Sequence, residues 1–84
     1  MAKVLYFAGL REALGASSES LSIPTGVTNV AGLRVYLAGR GGAWAEQFAP
    51  ARNLRAAVNQ DMAAPDTKIG EADEIAFFPP VTGG

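Results

Sequence analysis

The residues best placed to do chemistry in this chain crowd into its last stretch, "DEIAFFPPVTGG", from Asp73 to Gly84. A strand-like apolar run meets Pro79 and Pro80, and then Gly83 and Gly84 carry the final carboxylate. The two prolines end ladder hydrogen bonding, fix φ at both positions and hold the chain extended. Beyond them Val81, Thr82, Gly83 and Gly84 add a reach of roughly 13 Å at about 3.3 Å per residue. The glycines lack Cβ atoms, so they thread a channel too narrow for other residues and bring the carboxylate to a buried centre. Terminal residues are ordinarily frayed and polar. Apolar strand, stiff spacer and paired glycines together read as a working tail.

Elsewhere the chemistry is thin. The chain has no His and no Cys. It therefore lacks an imidazole base, a thiolate nucleophile, a zinc site of the usual kind and a disulfide framework. Its acids are dispersed except for Glu71, Asp73 and Glu74, which fall in a turn sequence and read as a solvated loop rather than a hard-metal site. No metal is expected, and the chain is poorly equipped to act as an enzyme alone.

Composition narrows the class further. Of 84 residues 49% are apolar, enough for one small domain with a single core. Seven basic residues against eight acidic ones leave a net charge of −1, and the basic residues are scattered. Clustered Lys and Arg of the kind that binds nucleic acid are missing, as is a basic amphipathic membrane helix. No apolar run nears the roughly 18 residues of a membrane span. The opening "MAKVLYFAG" reads as a strand and not as a signal peptide. A cytoplasmic protein that binds neither nucleic acid nor membrane is the expectation.

The elements that must position the tail are legible as pattern. Lys3 to Ala8 predicts a strand with Val4, Tyr6 and Ala8 on one side and Leu5 and Phe7 on the other. Arg11 to Leu14 predicts one helical turn closed by Gly15. Ser18 to Ile23 alternates and pairs as a hairpin with the first strand, across an irregular connection. Thr28 is the expected N-cap of a helix striped by Val30, Leu33 and Leu37, with Tyr36 extending the stripe. Gly39, Gly41 and Gly42 end that helix, and Gly32 within it implies close packing against the sheet. Trp44 to Phe48 predicts a second short helix. Leu54 to Val58 predicts a strand, Asn59-Gln60 a tight turn into Asp61 to Ala63, and Glu74 to Phe78 the last strand. In that strand Ile75 and Phe77 share the covered face, and Phe78 points the other way.

"KVLYFAGLREALG", "LRAAVNQ" and above all "DEIAFFPPVTGG" closely resemble the small, sulfur-carrying subunits of molybdopterin synthase, in the ubiquitin-like family. The similarity runs essentially end to end, with "LAGRGGAWAEQFAPARN" particular to this chain. It implies an α+β fold of the ubiquitin-like β-grasp type: a mixed sheet packed on one main helix, with first and last strands parallel at its centre. Residues 1–78 form the domain and residues 79–84 a flexible Gly-Gly tail.

The same resemblance implies the chemistry. An adenylyltransferase of the ubiquitin-activating type, using ATP and magnesium, converts the Gly84 carboxylate to an acyl-adenylate. A sulfur donor then displaces AMP, leaving a thiocarboxylate. The tail, with Gly83 beside the reactive group, enters the large synthase subunit and donates sulfur to cyclic pyranopterin monophosphate. Acid–base groups belong to that partner, and this chain binds no cofactor itself. Phe78, Pro79, Pro80, Val81 and Thr82 are implied to contact partners. Phe7 and Met62 complete an exposed apolar patch, and Arg11 pairs with an acidic partner group. Ordinary packing is the competing reading of Phe7 and Met62, because parity alone does not decide which sheet face is covered. A solvated surface charge competes for Arg11. The rival functions are a sulfur carrier for the thiamine thiazole, a ubiquitin-like modifier joined to lysines through Gly84, and a plain β-grasp interaction module.

Overall fold

Alternation in the first strand sets the architecture. In β1 (Ala2–Tyr6) the side chains of Ala2, Val4 and Tyr6 are buried, Lys3 is exposed and Leu5 lies between. The computed structural model describes residues 1–80. After β1 come α1 (Ala8–Leu14), β2 (Ser18–Leu21), α2 (Val30–Ala38) and α3 (Gly42–Gln47). The chain then returns to the sheet as β3 (Arg55–Val58), β4 (Asp61–Ala63) and β5 (Glu74–Phe78).

The five strands lie in the order β2-β1-β5-β3-β4. β1 and β5 pair in parallel at the centre, with Val4 opposite Ile75 and Tyr6 opposite Phe77. The other pairings, β1 with β2, β3 with β4 and β3 with β5, are antiparallel. A parallel pair needs a long crossover, and here it contains the rest of the domain. This is the expected β-grasp arrangement, mixed and α+β.

The core forms where the covered face meets α2. Val4, Tyr6, Ile75 and Phe77 pack with Val30, Leu33 and Leu37 of α2, Leu10 of α1 and Phe48 after α3. The stripe at i, i+3 and i+7 is therefore the buried one. Tyr36 is not part of it: at 39% exposure it stands at the rim, under Arg40.

Three local expectations are corrected. The N-cap of α2 is Asn29, not Thr28: its side chain accepts from the Gly32 amide at 2.8 Å. Thr28 is committed elsewhere, its carbonyl accepting from Ile69 N at 3.1 Å. Thr67 O and Pro65 O accept from Val30 N and Ala31 N at 3.0 and 2.8 Å, and Asn29 O accepts from Leu33 N at 3.1 Å. The first-turn donors of the helix are thus all met, which a terminus needs when it is docked against a loop. Gly32 is tight for the same reason. A Cβ there would lie 3.3 Å from Asn29 Oδ1 and 3.6 Å from Val27, so the close neighbour is the capping loop and not the sheet. Finally, the helix expected over Arg11 to Leu14 starts three residues earlier: Ala8, expected in the strand, opens α1 instead, with φ of 54° turning the chain out of β1.

Other punctuation follows the residue types. Gly15 closes α1 in the left-handed conformation at φ 69°. Asn59 and Gln60 both have positive φ, 51° and 72°, as a two-residue hairpin turn requires.

Candidate functional site

The sheet face opposite the helices is the surface these elements leave open. Ser18, Leu5, Ala76, Ala57 and Met62 form one row across it, by the pairings Leu5–Ser18, Leu5–Ala76, Ala57–Ala76 and Ala57–Met62. Toward the end where β5 finishes, Phe78 lies opposite Arg55. Phe7 stands beside it on the neighbouring strand's extension, and its amide donates to Phe77 O at 3.2 Å. Phe7 is 46% exposed and Met62 63%, large values for apolar side chains. Phe78 is half-buried. The structure therefore places Phe7 and Phe78 on adjacent strand ends. Met62 sits apart on edge strand β4, linked to them through Ala57, Ala76 and Leu5. Aromatic and Met side chains on such a surface are the types enriched at interfaces.

Pro79 and Pro80 continue from β5 into a cleft of about 320 Å³. One side is Gly9 and Leu10 of α1; the other is Gln47, Arg52, Asn53 and Leu54. Both prolines are half-buried, so the start of the tail is walled on two sides. Its second wall has an internal brace. Arg34 of α2 donates from Nε to Phe48 O at 3.1 Å, and from Nη2 to Ala49 O and Arg52 O at 2.5 and 2.6 Å. Burial holds that guanidinium below its ordinary pKa.

The inner side of the same region is an aromatic and ionic cluster. Tyr6 Oη donates to Glu19 Oε1 at 2.5 Å, and Arg40 grips both Glu19 oxygens at 2.7 and 3.0 Å. The Arg40 guanidinium lies 4.4 Å from the Trp44 ring centroid. Trp44 stacks on Phe48 and meets Tyr6 edge-on, and Phe48 meets Phe77 edge-on. Hydrogen bonding from Arg40 holds the Glu19 carboxyl below its usual range, with the Tyr6 hydroxyl adding to the effect. Burial, then the bond to Glu19, push the Tyr6 hydroxyl well above its ordinary value. These groups are spent on one another and hold β1, β2, α2 and α3 together.

Two of the three clustered acids also have backbone duties. Glu71 accepts from Ile23 N at 2.8 Å, and Asp73 from Gly70 N at 2.8 Å and Asn59 Nδ2 at 2.9 Å. They close turns.

Arg11 is exposed on α1, close in sequence to Phe7, and has no ion-pair partner among the described residues. Val81, Thr82, Gly83 and Gly84, on which the chemical reading of the tail rests, lie outside the described residues. Alternation in the last strand put Ala76 on the same face as Phe78, but sequence reasoning missed Ala57 of the open face and every wall residue around Pro79 and Pro80. Ala57 carries no signal until register is known. The walls come from α1 and from the 47–54 segment, which no local pattern joins to residue 79.

Comparison with known proteins places this geometry. The molybdopterin synthase sulfur carrier subunit of Escherichia coli is 39% identical over 84 residues, covering all of both chains. The protein of the same description from Haemophilus influenzae is 36% identical over the same span. The crystal structure of SAMP1 from Haloferax volcanii superposes with a TM-score of 0.75 at 24% identity, over 99% of this chain and 98% of that one. That likeness shows the ubiquitin-like β-grasp fold. The ThiS family model matches residues 4–84, and the chain belongs to the ThiS family.

Proposed function

We propose that this chain is the sulfur-carrier subunit of a molybdopterin synthase, and that the Gly84 carboxylate is its reactive group. One observation carries the reading: the alignment with the E. coli sulfur carrier subunit covers both chains completely, so it includes the terminal "FFPPVTGG". The open sheet face supports it, because exposed Phe7 and half-buried Phe78 lie where β5 runs into the tail.

The chemistry follows from the poor reactivity of a carboxylate. An activating partner uses ATP and magnesium; the carboxylate attacks the α-phosphorus and expels pyrophosphate, giving an acyl-adenylate. The terminal sulfur of a persulfide donor attacks the acyl carbon and AMP leaves. A thiol supplies the electron pair that cleaves the remaining S–S bond, and a thiocarboxylate results. In the large synthase subunit that sulfur is transferred to cyclic pyranopterin monophosphate, and two such deliveries build a dithiolene. Phe7, Phe78 and Met62 form the apolar contact with partners, with Arg11 beside it for an acidic group. Pro79 to Thr82 span the distance, and Gly83 and Gly84 pass where a Cβ would not.

The test is intact-mass analysis after incubation with an activating enzyme, ATP and a persulfide donor. Replacement of one oxygen by sulfur at Gly84 is the expected result. An unchanged mass, under conditions that sulfurate the E. coli relative, would contradict it. Conjugates to partner lysines would instead mark a protein modifier.

A further inference from the structure

The two walls around Pro79 and Pro80 are not held equally. The α1 wall follows directly from β1, whose extension is tied to β5 by the bond from Phe7 N to Phe77 O. The other wall belongs to an irregular segment between α3 and β3, with no ladder to fix it. The buried Phe48 ring anchors its start and an Arg52–Glu46 pair at 3.5 Å lies along it, but its main-chain carbonyls are braced by one side chain. Arg34 donates to three carbonyls of that segment, those of Phe48, Ala49 and Arg52. Arg52 N closes a turn onto Ala49 O at 2.9 Å, so the guanidinium braces both ends of that turn. Immediately after it, Asn53 and Leu54 face the prolines, and Arg55 opens β3 opposite Phe78.

We propose that Arg34 is a positioning residue for the start of the carboxyl-terminal tail: by bracing the 48–52 turn it fixes the wall that lies against Pro79 and Pro80. Arg34 lies on α2 and is not among the residues lining the cleft of Pro79 and Pro80, so it acts on them through the turn. A planar guanidinium with several donors in a fixed fork can serve three carbonyls at once, whereas a lysine ammonium is a single point charge. The loss of that wall reads out in partner engagement, since misplacement of a reacting group is costly even when caused from a distance. This inference rests on the sulfur-carrier reading and adds a role for a residue outside the tail.

The test compares the full chain with Arg34→Lys and Arg34→Met, in sulfuration by the activating enzyme at varied carrier concentration. A second readout is ¹⁵N relaxation of the Val81–Gly84 amides. The expected result is a rise in KM for the carrier of about three- to tenfold, with kcat held within about twofold. Tail relaxation in the free variants should shift toward faster motion, more for Met than for Lys. Unchanged KM and unchanged tail relaxation, in variants whose 48–52 amides do shift, would make Arg34 a purely structural brace and overturn the proposal. If Arg34→Met does not fold, Gln47→Ala with Asn53→Gly alters the same wall outside the core and must give the same KM change. Absence of that change would overturn the proposal equally. Failure of the wild-type chain to be sulfurated would sink the functional reading first, and is separately visible.

Discussion

Glu19 is the residue whose contribution to stability depends most plainly on pH. Its carboxylate lies between the Tyr6 hydroxyl and the Arg40 guanidinium, each within hydrogen-bonding distance. Because its folded pKa is depressed, it contributes stability that is fully present above the unfolded value, near 4.3, and is lost as pH falls through the folded one. Tyr6 has the opposite sign. Its raised folded pKa favours the neutral hydroxyl, so its contribution is present below the unfolded value near 10 and falls away as pH rises beyond it. Glu19→Gln should therefore cost about 1–2 kcal/mol at pH 7, with the difference from wild type shrinking toward pH 3. Urea unfolding at the two pH values measures this, and an equal loss at both would remove the ionic share. Phe77→Ala is the larger effect expected from packing. Phe77 is 1% exposed and edge-on to Phe48, and its loss should cost about 3–5 kcal/mol by thermal or urea unfolding.

At the scale of elements, the turn between β3 and β4 gives the cleanest test. Gln60 is exposed, holds φ of 72° and has a side chain free of recorded hydrogen bonds among the described residues. A glycine adopts that conformation without steric cost, so Gln60→Gly should raise stability by about 0.5–1 kcal/mol in thermal unfolding. Asn59 must stay, since its side chain accepts from Glu74 N at 3.0 Å and donates to Asp73. The same scale shows what was legible in the sequence. Strands and the α2 stripe were readable because period and burial coincide: Val30, Leu33 and Leu37 are all buried. The cap was misread at Thr28 because either residue can cap, and only the docking of the 65–69 loop selects Asn29. Tyr36 was misplaced because it fits the apolar pattern by position, while Arg40 holds its ring at the rim. The open face was half legible. Parity put Leu5 and Phe7 together, but the placing of Phe7 and Phe78 on adjacent strand ends needed the parallel β1–β5 register. The brace by Arg34 on the 48–52 turn had no sequence signal, because its partners are main-chain carbonyls.

At the scale of the whole molecule, one sheet face is consumed by the core and the other is left open. Core side chains and the Glu19 cluster hold a scaffold whose central strand β5 runs straight into the tail. Substituting the open face should separate folding from function. Phe7→Ser with Met62→Lys should change the unfolding midpoint less than a core substitution such as Phe77→Ala, because both residues lie outside the buried core, yet weaken binding to the large subunit at least about tenfold in calorimetry. The central proposal is narrower: the carboxylate of Gly84 is the reactive group. It is tested most directly by comparing the chain with a version carrying one added alanine after Gly84 in a reconstituted synthase reaction. The account predicts sulfur transfer to the pterin precursor by the first and none by the second, with identical unfolding curves. Transfer at an undiminished rate by the untrimmed, extended chain would contradict it.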